Sequence, residues 1–313
     1  MKTEREKGIF LIISIFTLIL LPLRTFHVMT GVENATGFLV DMKPLNYAIY
    51  AILSIAAIVL AVLCFADSEF KKKNQILNEN NKLSAIPAIL MTIFLLFDAA
   101  TSIAQLSINL STVSVGSLPV MTGEFVRNGT FSLAFRTLFA ILSSVYFSIL
   151  GISILKKDMK YKKSAIMALT PVMWIISKFM LLLINPIRFK NVPYILLELA
   201  FLACAAIFFY SFASSIYLNT STHSLSKIFF SGGLLIIIGA INIFPSFLKL
   251  IAMEEVWFDI KFVELIPDFG ILIFVFSIIL FLTIKNNDDV VQTPKKREKK
   301  IVLLFDNLKN RLN

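Results

Sequence analysis

Five polar side chains stand inside segments that otherwise run almost unbroken in apolar residues: Asp98, Arg136, Lys178, Glu198 and Asn242. The two acids and two bases among them could neutralise one another as ion pairs. They could equally line a wet cavity that accepts the opposite charges of a zwitterionic solute. Helical rise sets their depth. At 1.5 Å per residue, Asp98 lies about 21 Å above Ser84 at the start of its segment, and Lys178 lies as far above Ser164. Arg136 is about 9 Å below Thr130 and Glu198 about 6 Å below Tyr194, on segments running the other way. In a hydrocarbon layer about 30 Å thick, all four then share the outer half.

An unpaired charge near the bilayer centre costs roughly 2.5–3.5 kcal/mol on insertion scales, so pairing between neighbours is expected. Adjacency in the chain suggests Asp98–Arg136 and Lys178–Glu198. The competing reading is that these pairs only fix helix packing, with Arg136 and Lys178 reaching partly toward the headgroups. Asn242 precedes Pro245 in "GAINIFPSF", near the same depth, where a proline frees backbone carbonyls for a ligand or a hinge. An ordinary kink satisfied by neighbouring helices gives the same sequence.

The elements that must hold these groups are membrane helices. The chain has 313 residues, 57% hydrophobic and 16% charged, with a mean hydropathy of +0.81. A soluble domain carries about a quarter charged residues. Apolar runs near the ~20 residues needed to cross hydrocarbon imply an all-α polytopic transmembrane bundle. The spans are expected at about 8–25, 44–66, 84–107, 130–155, 164–185, 194–218, 227–249 and 265–284. A β-barrel is excluded, since its strands would alternate in character and be about half as long. Pro22 and Arg24 are expected to end the first span. Asp268, just after Pro267, reads as a charge complementing a helix N-terminus. Gly232, Gly233 and Gly239 would permit close helix contact.

Lysine-rich stretches alternate with polar or acidic ones. The N-terminus, 67–83, 156–163 and the tail after 284 are lysine-rich; the connections between them are polar, neutral or acidic, apart from 186–193, which carries Arg188 and Lys190. Basic residues beside spans mark the cytoplasmic side and attract anionic headgroups, so both termini are expected inside a cytoplasmic membrane. The net charge of +10 is thereby explained without nucleic acid, for which no motif exists. The membrane domain is assigned to 1–285 and a basic tail to 286–313. In the tail, Ile301, Leu304, Phe305, Leu308 and Leu312 share one face of an amphipathic helix over 301–313. That helix could anchor at the interface or dock a protein partner.

The segment "KLSAIPAILMTIFLLFD" (82–98) aligns with "KKSAIMALTPVMWIISK" (162–178), and "TGFLVDMKPLNYA" (36–48) with "TGEFVRNGTFSLA" (122–134). The matches are compatible with four repeated helical hairpins, or with shared apolar composition alone. Cys64 and Cys204 both fall in spans, which argues against a disulfide framework. The histidines, His27 and His223, lie near span ends, leaving little for a metal site. The acidic stretch 254–264 surrounds Trp257, an interfacial anchor or a cation-attracting mouth. No phosphate-binding loop, dinucleotide fingerprint, HExxH or GxSxG is present, so no cofactor or catalytic centre is expected. The expectation is a transporter-like protein for a small polar or zwitterionic solute. The alternatives are a non-transporting membrane subunit that docks a partner through its basic loops and tail, or an intramembrane enzyme acting on lipid.

Overall fold

The computed structural model describes residues 2–31, 43–66, 85–112, 125, 129–156, 166–184, 192–217, 224–252 and 265–284. Among them no strand occurs, and eight helices are long and apolar enough to cross a membrane. They are α1 (Lys2–Gly31), α2 (Lys43–Phe65), α3 (Ala85–Thr112) and α4 (Thr130–Lys156). There follow α5 (Thr170–Ile184), α6 (Val192–Tyr217), α7 (Ser224–Ala252) and α8 (Leu265–Ile284). One turn of 3-10 helix, Met167–Leu169, leads into α5. The chain is a multi-pass integral membrane protein. The lysine-rich connections, the acidic stretch 254–264 and the tail helix expected over 301–313 lie outside the described residues.

Local sequence accounts for where the helices start. Pro44, Pro87, Pro171, Pro193 and Pro267 fall within the first three residues of α2, α3, α5, α6 and α8. There a proline removes no intrahelical hydrogen bond and its fixed φ favours the helix. Pro22 behaves differently. The sequence predicts that Pro22 and Arg24 end the first span, but α1 runs on to Gly31 with Pro22 inside it. Hydrocarbon offers no other partner to the backbone groups that unwinding would free, so a helix tolerates the one bond a proline costs. Beside the break, the Thr25 hydroxyl donates to the Leu21 carbonyl at 2.8 Å. Pro245 sits likewise inside α7, and the Ser246 hydroxyl donates to the Asn242 carbonyl at 2.7 Å.

The centre of the bundle is built from α7 and α8. Ser231 to Ile241 are buried without interruption, as expected of a helix apolar on every side. Around α7 pack α1, α2 and α6, while α3 packs on α4, α4 on α5 and α5 on α6. From α8, Phe276 meets Phe10 of α1, and Phe269 meets both Phe94 of α3 and Phe244 of α7. Phe274 is an aromatic hub: its ring centroid is 5.0 Å from Phe147 of α4, 5.7 Å from Phe212 and 5.9 Å from Phe209 of α6. Edge-on and offset ring pairs of this kind add about 0.5–1.5 kcal/mol each beyond the area they bury.

Two glycines set how closely these helices approach. A Cβ on Gly232 would lie 2.6 Å from Ile279 of α8, and one on Gly270 would lie 2.7 Å from the Cβ of Phe94 and 2.6 Å from its ring. Gly233 and Gly239 face α1 and α6 in the same way. An alanine at position 270 must push α8 away from α3 at the level of the buried charges. Gly270→Ala should cost about 1–3 kcal/mol by overpacking, read as a lowered unfolding midpoint in detergent. Gly8→Ala, with no atom within 4 Å of the added carbon, should leave the midpoint in place.

A buried charge network as the candidate functional site

Asp98 sits midway along α3, where its side chain faces α4 and α5. The guanidinium of Arg136 on α4 grips it as a fork, Nη2 donating to Oδ1 at 2.5 Å and Nε to Oδ2 at 3.2 Å. The indole Nε1 of Trp174 on α5 donates to the same Oδ2 at 2.7 Å. One turn further along α5, the Lys178 ammonium lies 5.5 Å from the Trp174 ring centroid and donates to Oδ1 of Asp268 on α8. The two ion pairs thus form one network across four helices, with two acids balancing two bases. None of the four charged residues is more than 6% exposed.

Each side chain is where its helix must put it. Trp174 and Lys178 are four residues apart and share a face of α5, so a partner of one lies near a partner of the other. A buried indole N–H needs an acceptor, and Asp98 supplies it. The planar Arg136 fork matches the carboxylate edge in a way that a lysine could not.

The pair Asp98–Arg136 stands as the sequence predicts. The pair Lys178–Glu198 does not form: Lys178 is bonded to Asp268, and Glu198 lies half-buried on α6, supplying neither ion pair. Pairing by adjacency in the chain fails because α8, the last of the described helices, inserts at the centre and presents its first turn to α5. Asp268 is the fourth residue of α8, so it also suits the helix N-terminus, the role its sequence context suggests. The sequence signal for its second role was present: it is an acid inside an apolar span at the right depth. Trp174 was missed altogether, although its four-residue spacing from Lys178 placed it on the same face. Asn242 is half-buried on α7, outside the two ion pairs. Its neighbours Ile243, Phe244 and Phe247 line an apolar cavity of about 260 Å³ with Phe94, Leu265, Ile266 and Phe269.

The α3–α4 interface carries further polar atoms. Ser148 donates to Thr92 across it at 3.3 Å. The hydroxyls of Ser102, one turn beyond Asp98, and Ser143, two turns beyond Arg136, are buried without a hydrogen-bond partner. Elsewhere, Arg24 of α1 is fully buried, and its Nη1 donates to Nδ1 of His27 at 2.7 Å. Both residues lie on the stretch of α1 beyond Pro22. Among the described residues, no three histidine, cysteine or acidic side chains cluster as metal ligands.

Compared with protein-family models, curated proteins and solved structures, the chain matches none of them.

Breaking one partner of a buried pair leaves the other charge uncompensated and costs about 3–5 kcal/mol, whereas an apolar pair of similar volume is often neutral or stabilising. Arg136→Leu and Asp98→Leu should each lower the detergent unfolding midpoint strongly, and the double substitution should recover most of the loss. Asp268→Asn should lower the midpoint by an amount similar to either single substitution, because it strands the Lys178 ammonium; an unchanged midpoint would contradict the Lys178–Asp268 pair. Trp174→Phe should cost about 1.5–3 kcal/mol, the range for a hydrogen bond to a charged group.

Proposed function

We propose that this protein is transporter-like: it binds or moves a small polar or zwitterionic solute by opening the ion-paired seam between α3, α4, α5 and α8. One observation carries this reading. Four charges on four neighbouring helices are paired with one another and buried at one level, inside a bundle whose core is mostly apolar. Hydrophobic side chains of similar size would hold such helices together at least as well. Ionisable groups within spans mark solute or ion pathways more often than they mark packing. The unpartnered hydroxyls of Ser102 and Ser143, on the same helix faces as Asp98 and Arg136, extend the polar surface to either side of the pairs.

With Asp98 and Arg136 already bonded to each other, a solute enters by exchange. A cationic group takes Arg136's place on Asp98 or Lys178's place on Asp268. An anionic group takes the place of the carboxylate on Arg136 or Lys178. A zwitterion can do both at once, so the seam opens without leaving a bare charge. The lysine-rich connections support a topology with both termini in the cytoplasm, in which the network lies toward the outer face.

The test separates opening from folding. In a background with Cys64 and Cys204 replaced by alanine, single cysteines at Ser102 and Ser143 are probed in membranes with a small water-soluble thiol reagent. Both should react, and a transported amino acid or amine found by uptake screening in proteoliposomes should change the rate at Ser102→Cys. The Asp98→Leu/Arg136→Leu protein should fold and lose uptake. Inert cysteines, together with full uptake or an unaltered cellular phenotype in the double variant, would mean that the pairs serve packing alone.

A further inference from the structure

Where α2 ends and α5 and α7 begin lies an open groove of about 420 Å³. Its walls are Phe65 at the end of α2, Val172 near the start of α5, Ile207 and Tyr210 of α6, and Phe230 of α7. The Phe65 and Phe230 rings meet edge to face at 5.4 Å and close it on one side. Two polar groups interrupt this apolar lining. Lys227, three residues into α7, is exposed at the mouth and makes no ion pair among the described residues. Ser211 is only 1% exposed, lines the groove, and its hydroxyl has no hydrogen-bond partner.

The depths of these groups order them like the parts of a phospholipid. Lys227 lies about 5 Å from the start of its helix and Ser211 about 9 Å from the end of α6, so the cation is nearer the surface and the hydroxyl lies below it. Below and around them the surface is aromatic and aliphatic. In the chain, the lysine-rich stretch 67–83 follows the end of α2 and 156–163 precedes the start of α5, and such stretches concentrate anionic lipid. We infer that the groove is a binding site for one anionic phospholipid of the leaflet on the lysine-rich side. Lys227 holds its phosphate, the Ser211 hydroxyl donates to an ester carbonyl, and one acyl chain lies along Phe65, Ile207 and Phe230.

The full chain, purified in detergent, is titrated by native mass spectrometry with dioleoyl-phosphatidylglycerol and, separately, dioleoyl-phosphatidylcholine. The wild type should retain one phosphatidylglycerol about fivefold more tightly than phosphatidylcholine, the preference expected from one lysine near the surface. Lys227→Gln should remove that preference. Lys156→Gln, at the exposed end of α4, should keep it. Ser211→Ala should weaken both lipids equally, and Ile207→Trp, which fills the groove, should displace both. Unfolding midpoints without added lipid verify that each variant is folded. No preference in the wild type, a preference that survives in Lys227→Gln, or an equal loss in Lys156→Gln would overturn the site.

Discussion

Hydrocarbon supplies neither hydrogen bonds nor dielectric screening, so a charge placed among membrane helices must find its opposite on another helix. Everything around the network of Asp98, Arg136, Trp174, Lys178 and Asp268 follows from that constraint. Asp98 joins α3 to α4 and α5, and Lys178 joins α5 to α8. Rotating or sliding any of the four would strand a charge. The links therefore fix both the depth and the face that each helix presents, which apolar packing alone specifies weakly.

Bulk packing is achieved elsewhere. Deeper along α8 the Phe274 hub gathers Phe147, Phe208, Phe209 and Phe212. Phenylalanines add no polar requirement and lose little conformational freedom for the area they cover. Close approach at Gly232 and Gly270 brings α7 and α3 against the same helix. Burial of aromatic surface and the angular demand of the ion pairs are thus separated along a single central element, one turn and a half apart.

That separation matters for how the protein could move. Under the proposed function, a network that is neutral, hydrogen-bonded and confined to one level would exchange its internal partners for those of a charged solute while the aromatic hub stays packed. The groove lined by Lys227 and Ser211 is walled by residues that belong to neither ion pair. The α3–α4 interface, with Thr92 and Ser148 bonded across it and Ser102 and Ser143 unpartnered, carries polar groups on both sides of the Asp98–Arg136 pair.

The amino-acid sequence by itself determined the membrane class, the eight helices, the positions of most helix starts and the pairing of Asp98 with Arg136. Each follows from properties local to a segment or to adjacent segments: apolar run length, proline in a first turn, opposite charges at matching depth. Sequence by itself did not choose Asp268 over Glu198 as the partner of Lys178, nor show that α8 is central or that Trp174 completes the Asp98 shell, although the depth of Asp268 and the spacing of Trp174 were visible in it. Nor did it reveal that α1 continues through Pro22 and carries Arg24 and His27 into the bundle. Those outcomes depend on which helix faces which. In lipid every apolar surface is equally welcome, so hydropathy does not encode that choice. Only the assembled bundle, where shape and charge are satisfied together, decides it.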